Sequence, residues 1–191
     1  MILRYFLLLL LLLPAVYKAP AQQYRTTSAD ASFAVNAPAK TITGESHAVS
    51  VRIDLKQGFV QLKTKVQSFR FSNNFVADTL NQVVRDRFNS YYMESDRFPE
   101  IIYNARFSSS IRLKAGNGAP VAFRTEGKLL LHGVAQPAVA EGTLTPGKGS
   151  VTVRAHMRLQ PATYGIRIPP YIGDMYFKEV EIVVEGTLNT F

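Results

Sequence analysis

The chain has 191 residues, 47% of them apolar, and a formal net charge of +8. This fits one domain with a sizeable core. The absence of cysteine excludes a disulfide framework, thiol chemistry, a thiolate metal site and a lipidated cysteine. The basic residues stand singly, as at Arg52 and Lys56 or Lys63 and Lys65, so the charge reads as a solvated exterior and no nucleic-acid partner is expected.

Residues 1–21 read as a secretory signal peptide. Arg4 gives a short basic start, Phe6 to Leu13 is an unbroken apolar run, and Ala19-Pro20-Ala21 is a small-x-small cleavage site. The run is shorter than the roughly 20 residues a membrane span needs, so no stable membrane anchor is expected. The folded domain is then 22–191, periplasmic or secreted. Its net charge is +6 once Arg4 and Lys18 are gone.

Gln22 to Ser28 is polar and reads as loose. Ser32 to Asn36 is a short first strand, ended by Ala37-Pro38, and Thr41 to Ser46 begins a second. Val49, Val51, Ile53 and Leu55 then alternate with Ser50, Arg52 and Asp54. Lys56-Gln57-Gly58 is a turn, and the return strand sets Val60, Leu62, Thr64 and Val66 against Gln61, Lys63 and Lys65. The pair predicts a hairpin with one dry face and one wet face. Phe69 and Phe71 fall on the wet phase, so either a bulge near Ser68 turns them inward or they pack under a helix; we favour the helix. That helix runs from Thr79 to Phe88, with Asp78 as N-cap, and covers one barrel end through Leu80, Val84 and Phe88.

Pro99 ends the helical region, and beyond it the period becomes two: Ile101, Tyr103, Ala105 and Phe107 share a face. Ser108 to Leu113 extends this strand and Ala115 to Gly118 turns. Val121, Phe123, Thr125, Gly127, Leu129 and Leu131 form the next dry face, Gly133 to Pro137 a corner, and Val139 to Leu144 a short strand ended by Pro146-Gly147. Val151, Val153, Ala155, Met157 and Leu159 alternate next. After a loop through Gly173-Asp174 come Val180, Ile182, Val184 and Leu188. About eight strands with one-sided alternation must pack two sheets or close one. Long strands and a single helix favour an all-β antiparallel barrel.

No catalytic constellation is visible. His47, His132 and His156 lie far apart and read as surface or capping residues, not metal ligands. Glu94 and Asp96 flank a helix end, but Arg97 beside them predicts an ion-paired loop. Ser108-Ser109-Ser110 has no nucleophile-elbow context. An eight-stranded barrel is either filled by its side chains or holds one small ligand, and the pattern leaves both open.

Three segments remain: Met93-Glu94-Ser95-Asp96-Arg97-Phe98-Pro99 with Arg87 upstream, Gly127-Lys128-Leu129-Leu130-Leu131-His132-Gly133-Val134-Ala135-Gln136-Pro137, and Tyr164-Gly165-Ile166 followed by Pro169. In this order they resemble the three signatures of the YceI-like, polyisoprenoid-binding family. Relatives often carry His at the position of Arg87. The second segment keeps the family's Gly, Leu, His-Gly-Val and Pro and departs at Lys128, Leu130, Ala135 and Gln136. The resemblance spans Ile42 to Leu188. It implies an eight-stranded lipocalin-like β-barrel and an exported carrier, not an enzyme. It needs no cofactor, although it allows for a bound isoprenoid lipid or another long apolar small molecule as partner, and for a homodimer.

On this reading the ligand-binding lining is Val60, Leu62, Tyr103, Phe107, Phe123, Leu129, Leu131, Val153, Met157, Val180 and Ile182. Tyr103 stands at the family's aromatic position four residues past Pro99, with a hydroxyl free for a ligand head or a buried water. Two other readings are a filled envelope interaction or stress protein and, further off, a lipid isomerase or cyclase. The second would need a buried titratable group on an inward face, and these phases carry none.

Overall fold

The computed structural model describes residues 23–37, 40–73, 78–113, 118–169 and 178–191. Nine strands lie among them: β1 (Gln23–Ala37), β2 (Lys40–Asp54), β3 (Phe59–Lys65), β4 (Arg70–Asn73), β5 (Glu100–Phe107), β6 (Val121–Leu131), β7 (Val134–Pro146), β8 (Ser150–Leu159) and β9 (Val180–Thr190). One helix, α1 (Asp78–Arg87), continues into a π turn at Phe88–Tyr92. All pairings are antiparallel. They run β1-β9-β8-β7-β6-β5-β3-β2, and β2 pairs back with β1, closing an eight-stranded barrel; β4 adds to β2 beside β3.

The first hairpin is longer than period-two counting finds. β1 begins at Gln23, so the segment read as loose is strand, and β2 is one strand from Lys40. The reason is a phase change. Register shifts between Thr26 and Ala31 move the buried positions from Tyr24 to Ala29 and Ala31, and on β2 from Ser46 to Val49, Val51 and Ile53. Each irregularity bends its strand and flips the inward face. Asp54, read on the wet phase, is buried at the strand end. It accepts from Gln23 Nε2 at 2.8 Å and from the Gln57 amide at 2.9 Å.

β3 and β4 share one edge of β2, separated by a 3-10 turn at Val66–Ser68. The turn resets the phase, so Val66 and Phe69 are both buried. The two readings of Phe69 and Phe71 therefore combine: the strand breaks near Ser68, and both rings pack on Phe88, with centroids at 6.0 and 5.0 Å. The side chain of Leu80 and any cap at Asp78 lie outside the described residues, as do residues 1–21, Ala115 to Asn117 and the Gly173-Asp174 loop.

Three further boundaries differ from expectation. β5 stops at Phe107; beyond it the Ser108 amide still donates to the Arg124 carbonyl at 2.9 Å, but Ser108 to Leu113 is not strand. The corner at Gly133–Pro137 is a two-residue turn, with His132 at φ 51° and Gly133 at φ 72°. Both left-handed residues match the twist of a tight hairpin. β7 therefore starts at Val134 and contains Pro137 opposite Lys128. Proline fits there because β8 pairs with β7 only from Ala140 onward, so no ladder bond is lost on that side.

The strand directions place the turns at Leu55–Gly58 and Gly147–Gly149 at one end of the barrel and α1, the Pro161–Tyr164 turn and the His132–Gly133 turn at the other. Tyr24, Val49, Val51, Ile53, Leu144, Val151 and Leu188 belong to one core cluster; Val66, Met93, Tyr103, Leu131, Leu159, Tyr164 and Val180 belong to a second.

Candidate ligand-binding cavity

The described residues line two apolar cavities inside the barrel. The larger, about 290 Å³, sits at the helical end. The smaller, about 90 Å³, lies deeper, among Val51, Ile53, Val60, Phe107, Phe123 and Val153. They share Phe69, Ile101 and Ile182, so these three side chains form the partition between them.

Helix α1 and its π turn build the roof of the larger cavity. Val84, Arg87, Phe88, Tyr92 and Met93 all border it. The π turn is closed by the Met93 amide donating to the Phe88 carbonyl at 2.8 Å. One residue more per turn brings Met93 beneath Phe88, where an α-helix would carry it round; such insertions recur at functional sites. Phe88 stacks on Phe33 at 6.0 Å, completing an aromatic cluster with Phe69 and Phe71. Leu131, Leu159, Pro161, Ile166, Ile168 and Val180 close the far wall.

All eleven residues expected to line the barrel border one cavity or the other. Val60, Leu62, Tyr103, Phe107, Phe123, Leu129, Val153 and Met157 surround the smaller, Leu131 and Val180 the larger, and Ile182 both. The Tyr103 hydroxyl, however, is not free for a head group. It lies 3.1 Å from Thr125 Oγ1 and 3.2 and 3.4 Å from the carbonyl oxygens of Thr125 and Ala138. Thr125 Oγ1 in turn donates to the Ala140 carbonyl at 3.2 Å. Burial, against opposing hydrogen bonds, raises the Tyr103 pKa above its ordinary value, so the phenol stays neutral. It is a cross-strand tie between β5, β6 and β7.

Sequence reasoning missed the aromatic cluster as lining, together with Tyr92, Met93, Leu159, Pro161, Ile166 and Ile168. Leu159 was read on the dry face of β8 but not counted as lining; the others come from the π turn and its end, from strands whose phase is broken, and from the 3-10 turn and coil after β8, where period-two counting has no purchase. The one available signal was the spacing Tyr164, Ile166, Ile168 after β8.

The expected ion pair is present: Arg97 lies 3.7 Å from Glu94. His47 and His156 are on the surface, near Asp30 and Glu141. His132 is not. Its side chain is only 10% exposed, Nδ1 donates to the Tyr164 carbonyl at 3.1 Å, and the ring stands edge-on to Phe98. It is a packed structural histidine joining the β6–β7 turn to the coil after β8. Among the described residues no group of three or more His, Asp or Glu side chains gathers where it could hold a metal ion.

Comparison with solved structures finds the same fold. A polyisoprenoid binding domain from Saccharophagus degradans, implicated in plant cell wall breakdown, superposes with a TM-score of 0.69 at 13% identity, covering 90% of this chain and 99% of its own. BcnA of Burkholderia cenocepacia gives 0.61 at 18% identity, covering 85% and 96%. A YceI protein of Campylobacter jejuni gives 0.52 at 12%, covering 78% and 84%. Comparison with curated protein sequences finds no match. The sequence profile of the YceI-like domain matches residues 23–188, nearly the whole described barrel, and the chain belongs to that family.

Proposed function

We propose that this protein is an exported carrier that sequesters a polyisoprenoid or similar long apolar molecule inside its barrel. The observation that carries the reading is the lining of the larger cavity, which among the described residues is apolar except at Arg87 and Tyr92. Affinity then comes from burying the tail, at about 0.8 kcal/mol per CH₂ moved out of water. Membership of a ligand-binding family and the likeness to a polyisoprenoid binding domain support an isoprenoid as the tail. Among the described residues the only titratable side chains bordering the cavities are Arg87 and Tyr92 at the larger and Tyr103 and His156 at the smaller.

A filled barrel without ligand is the second reading. It is favoured by the 90 Å³ of the inner cavity, well below the roughly 300–1,000 Å³ of small-molecule sites. Mass spectrometry of organic extracts from the natively purified protein separates the two. The carrier predicts a long-chain apolar molecule at close to one per protein. Repeated extraction of well-folded protein that yields none would leave the filled barrel as the answer.

A further inference from the structure

The three segments that carry the family resemblance meet at His132. Phe98, from the 93–99 segment, stands edge-on to its ring at 4.7 Å. The Tyr164 carbonyl, from the turn after β8, lies 3.1 Å from Nδ1. A carbonyl only accepts, so Nδ1 carries the hydrogen and the neutral ring leaves Nε2 a bare acceptor. That atom is buried and has no hydrogen-bond partner among the described residues. It faces the Glu94 carboxylate, whose Oε1 is 3.7 Å away, too far for a hydrogen bond. Oε2 of the same carboxylate lies 3.7 Å from the Arg97 guanidinium. The carboxylate thus stands between two partners and is bonded to neither. The backbone beneath it is fixed. Glu94 is left-handed at φ 42°, and its carbonyl accepts from the amides of Arg97 and Phe98 at 2.8 and 2.9 Å. The freedom that remains is in the side chain. Met93, its neighbour in the chain, borders the larger cavity.

From this we infer that Glu94 and His132 form a proton-operated latch beside the roof. A proton taken from solvent at Nε2 makes the ring an imidazolium, whose new N–H donates to the Glu94 carboxylate and ties the 93–99 segment to the β6–β7 turn. In the neutral state two acceptors face each other and the latch stays open. A buried imidazolium is costly without a partner, and the carboxylate offsets that cost. The other groups around the ring leave it to Glu94. Tyr164 offers its carbonyl, and burial raises its phenol above the ordinary tyrosine value, so the phenol stays neutral. Asp96 accepts from Gln67 Nε2 at 3.1 Å. Arg97 competes for the same carboxylate, but a guanidinium keeps its charge throughout. The sign follows: the stabilisation is complete when Nε2 is protonated and is lost as pH rises. The latch does not depend on the carrier reading; it adds a way for acidification to tighten the cavity's roof through Met93.

The test reads amide hydrogen-exchange protection by NMR, corrected for intrinsic rates, in the delipidated full protein at about pH 5.5 and about pH 8, on either side of the usual histidine range. The amides of Met93, Ser95 and Phe98, hydrogen-bonded at 2.8, 2.8 and 2.9 Å, report the latch. The control is the Gly147 amide at the opposite end, bonded to the Ser150 carbonyl at 2.9 Å. Wild type is expected to gain on the order of tenfold in protection at the three latch amides on acidification, the scale of a hydrogen bond to a charged group, with Gly147 unchanged. His132→Asn keeps a donor where Nδ1 stands but has no Nε2, so the gain should disappear. Glu94→Gln sets an N–H opposite the neutral Nε2, so protection should be high at both pH values. Equal wild-type protection at the two pH values, a gain that survives His132→Asn, or a gain undiminished in Glu94→Gln would each overturn the latch. So would a gain shared by Gly147, which is the global effect expected of the surface pairs His47–Asp30 and His156–Glu141. If His132→Asn fails to fold, Glu94→Gln decides alone, since the Glu94 side chain is 45% exposed and its replacement leaves the core intact.

Discussion

Three tyrosines show how a side chain with a polar tip is used in this core. Tyr24, Tyr103 and Tyr164 are buried, and burial raises the pKa of each above the ordinary tyrosine value. The consequence for stability has a definite sign. Below about pH 10 the phenol is protonated in both folded and unfolded chains, and its contribution is complete. Above that, the unfolded chain releases its protons first, so stability falls as pH rises toward the folded values. Unfolding midpoints in denaturant should be level to about pH 9 and then decline, and Tyr103→Phe should make the decline shallower. At neutral pH the same variant loses one buried hydrogen-bonded hydroxyl, an expected cost of about 1 kcal/mol. A midpoint that rises above pH 10, or an unaltered alkaline limb in the variant, would contradict this account. The sequence placed Tyr103 on the inward face correctly but misassigned its hydroxyl, because the partner Thr125 is 22 positions away and becomes a neighbour only through the β5–β6 register.

At the scale of elements, Phe88 is the side chain through which the roof is attached. Its ring meets Phe33, Phe69 and Phe71, one from β1 and two from the β3–β4 side of the wall. Phe88→Ala should cost about 2–4 kcal/mol, at the lower part of the usual range because the ring is only partly buried. It should also speed release of any bound lipid, since the roof would then rest on Val84 and Met93; a melting temperature within a degree of wild type would show that α1 is not docked through this ring. Regular elements were the readable ones. β6, β8 and β9 alternate without interruption and were found nearly at their true limits, whereas the bulged β1–β2 hairpin and the broken β3–β4 strand were cut into pieces. Period-two patterning reports a face only while the register is unbroken, and here the breaks are what let the wall curve. Gly142 belongs to the same logic: a Cβ there would come within 2.1 Å of the Arg154 carbonyl, so only glycine lets β7 and β8 approach at that point.

For the whole molecule, the barrel presents charges outward in pairs: across strands, Arg124 with Glu141, Arg154 with Glu185 and Arg158 with Glu181; within β6, Arg124 with Glu126; and beside β9, Arg158 with Glu179. Such exposed pairs add little stability. They keep a strongly basic chain from presenting one continuous positive face. That suits the proposed life outside the cytoplasm, for which residues 1–21 would be the passport. N-terminal sequencing of the exported protein should therefore begin near Gln22, and a sequence starting at Met1 would count against export by this route.

The closing strand has a consequence in time. β9, the last of the described strands, sits between β8 and β1, the first of them. Until Val180–Thr190 has emerged, both of those strands present open edges that are competent to pair with another molecule. The wall thus cannot be sealed before β9 is in place, however early its hairpins form. Any chaperone that must shield the edges has to act within the interval that ends when β9 is in place.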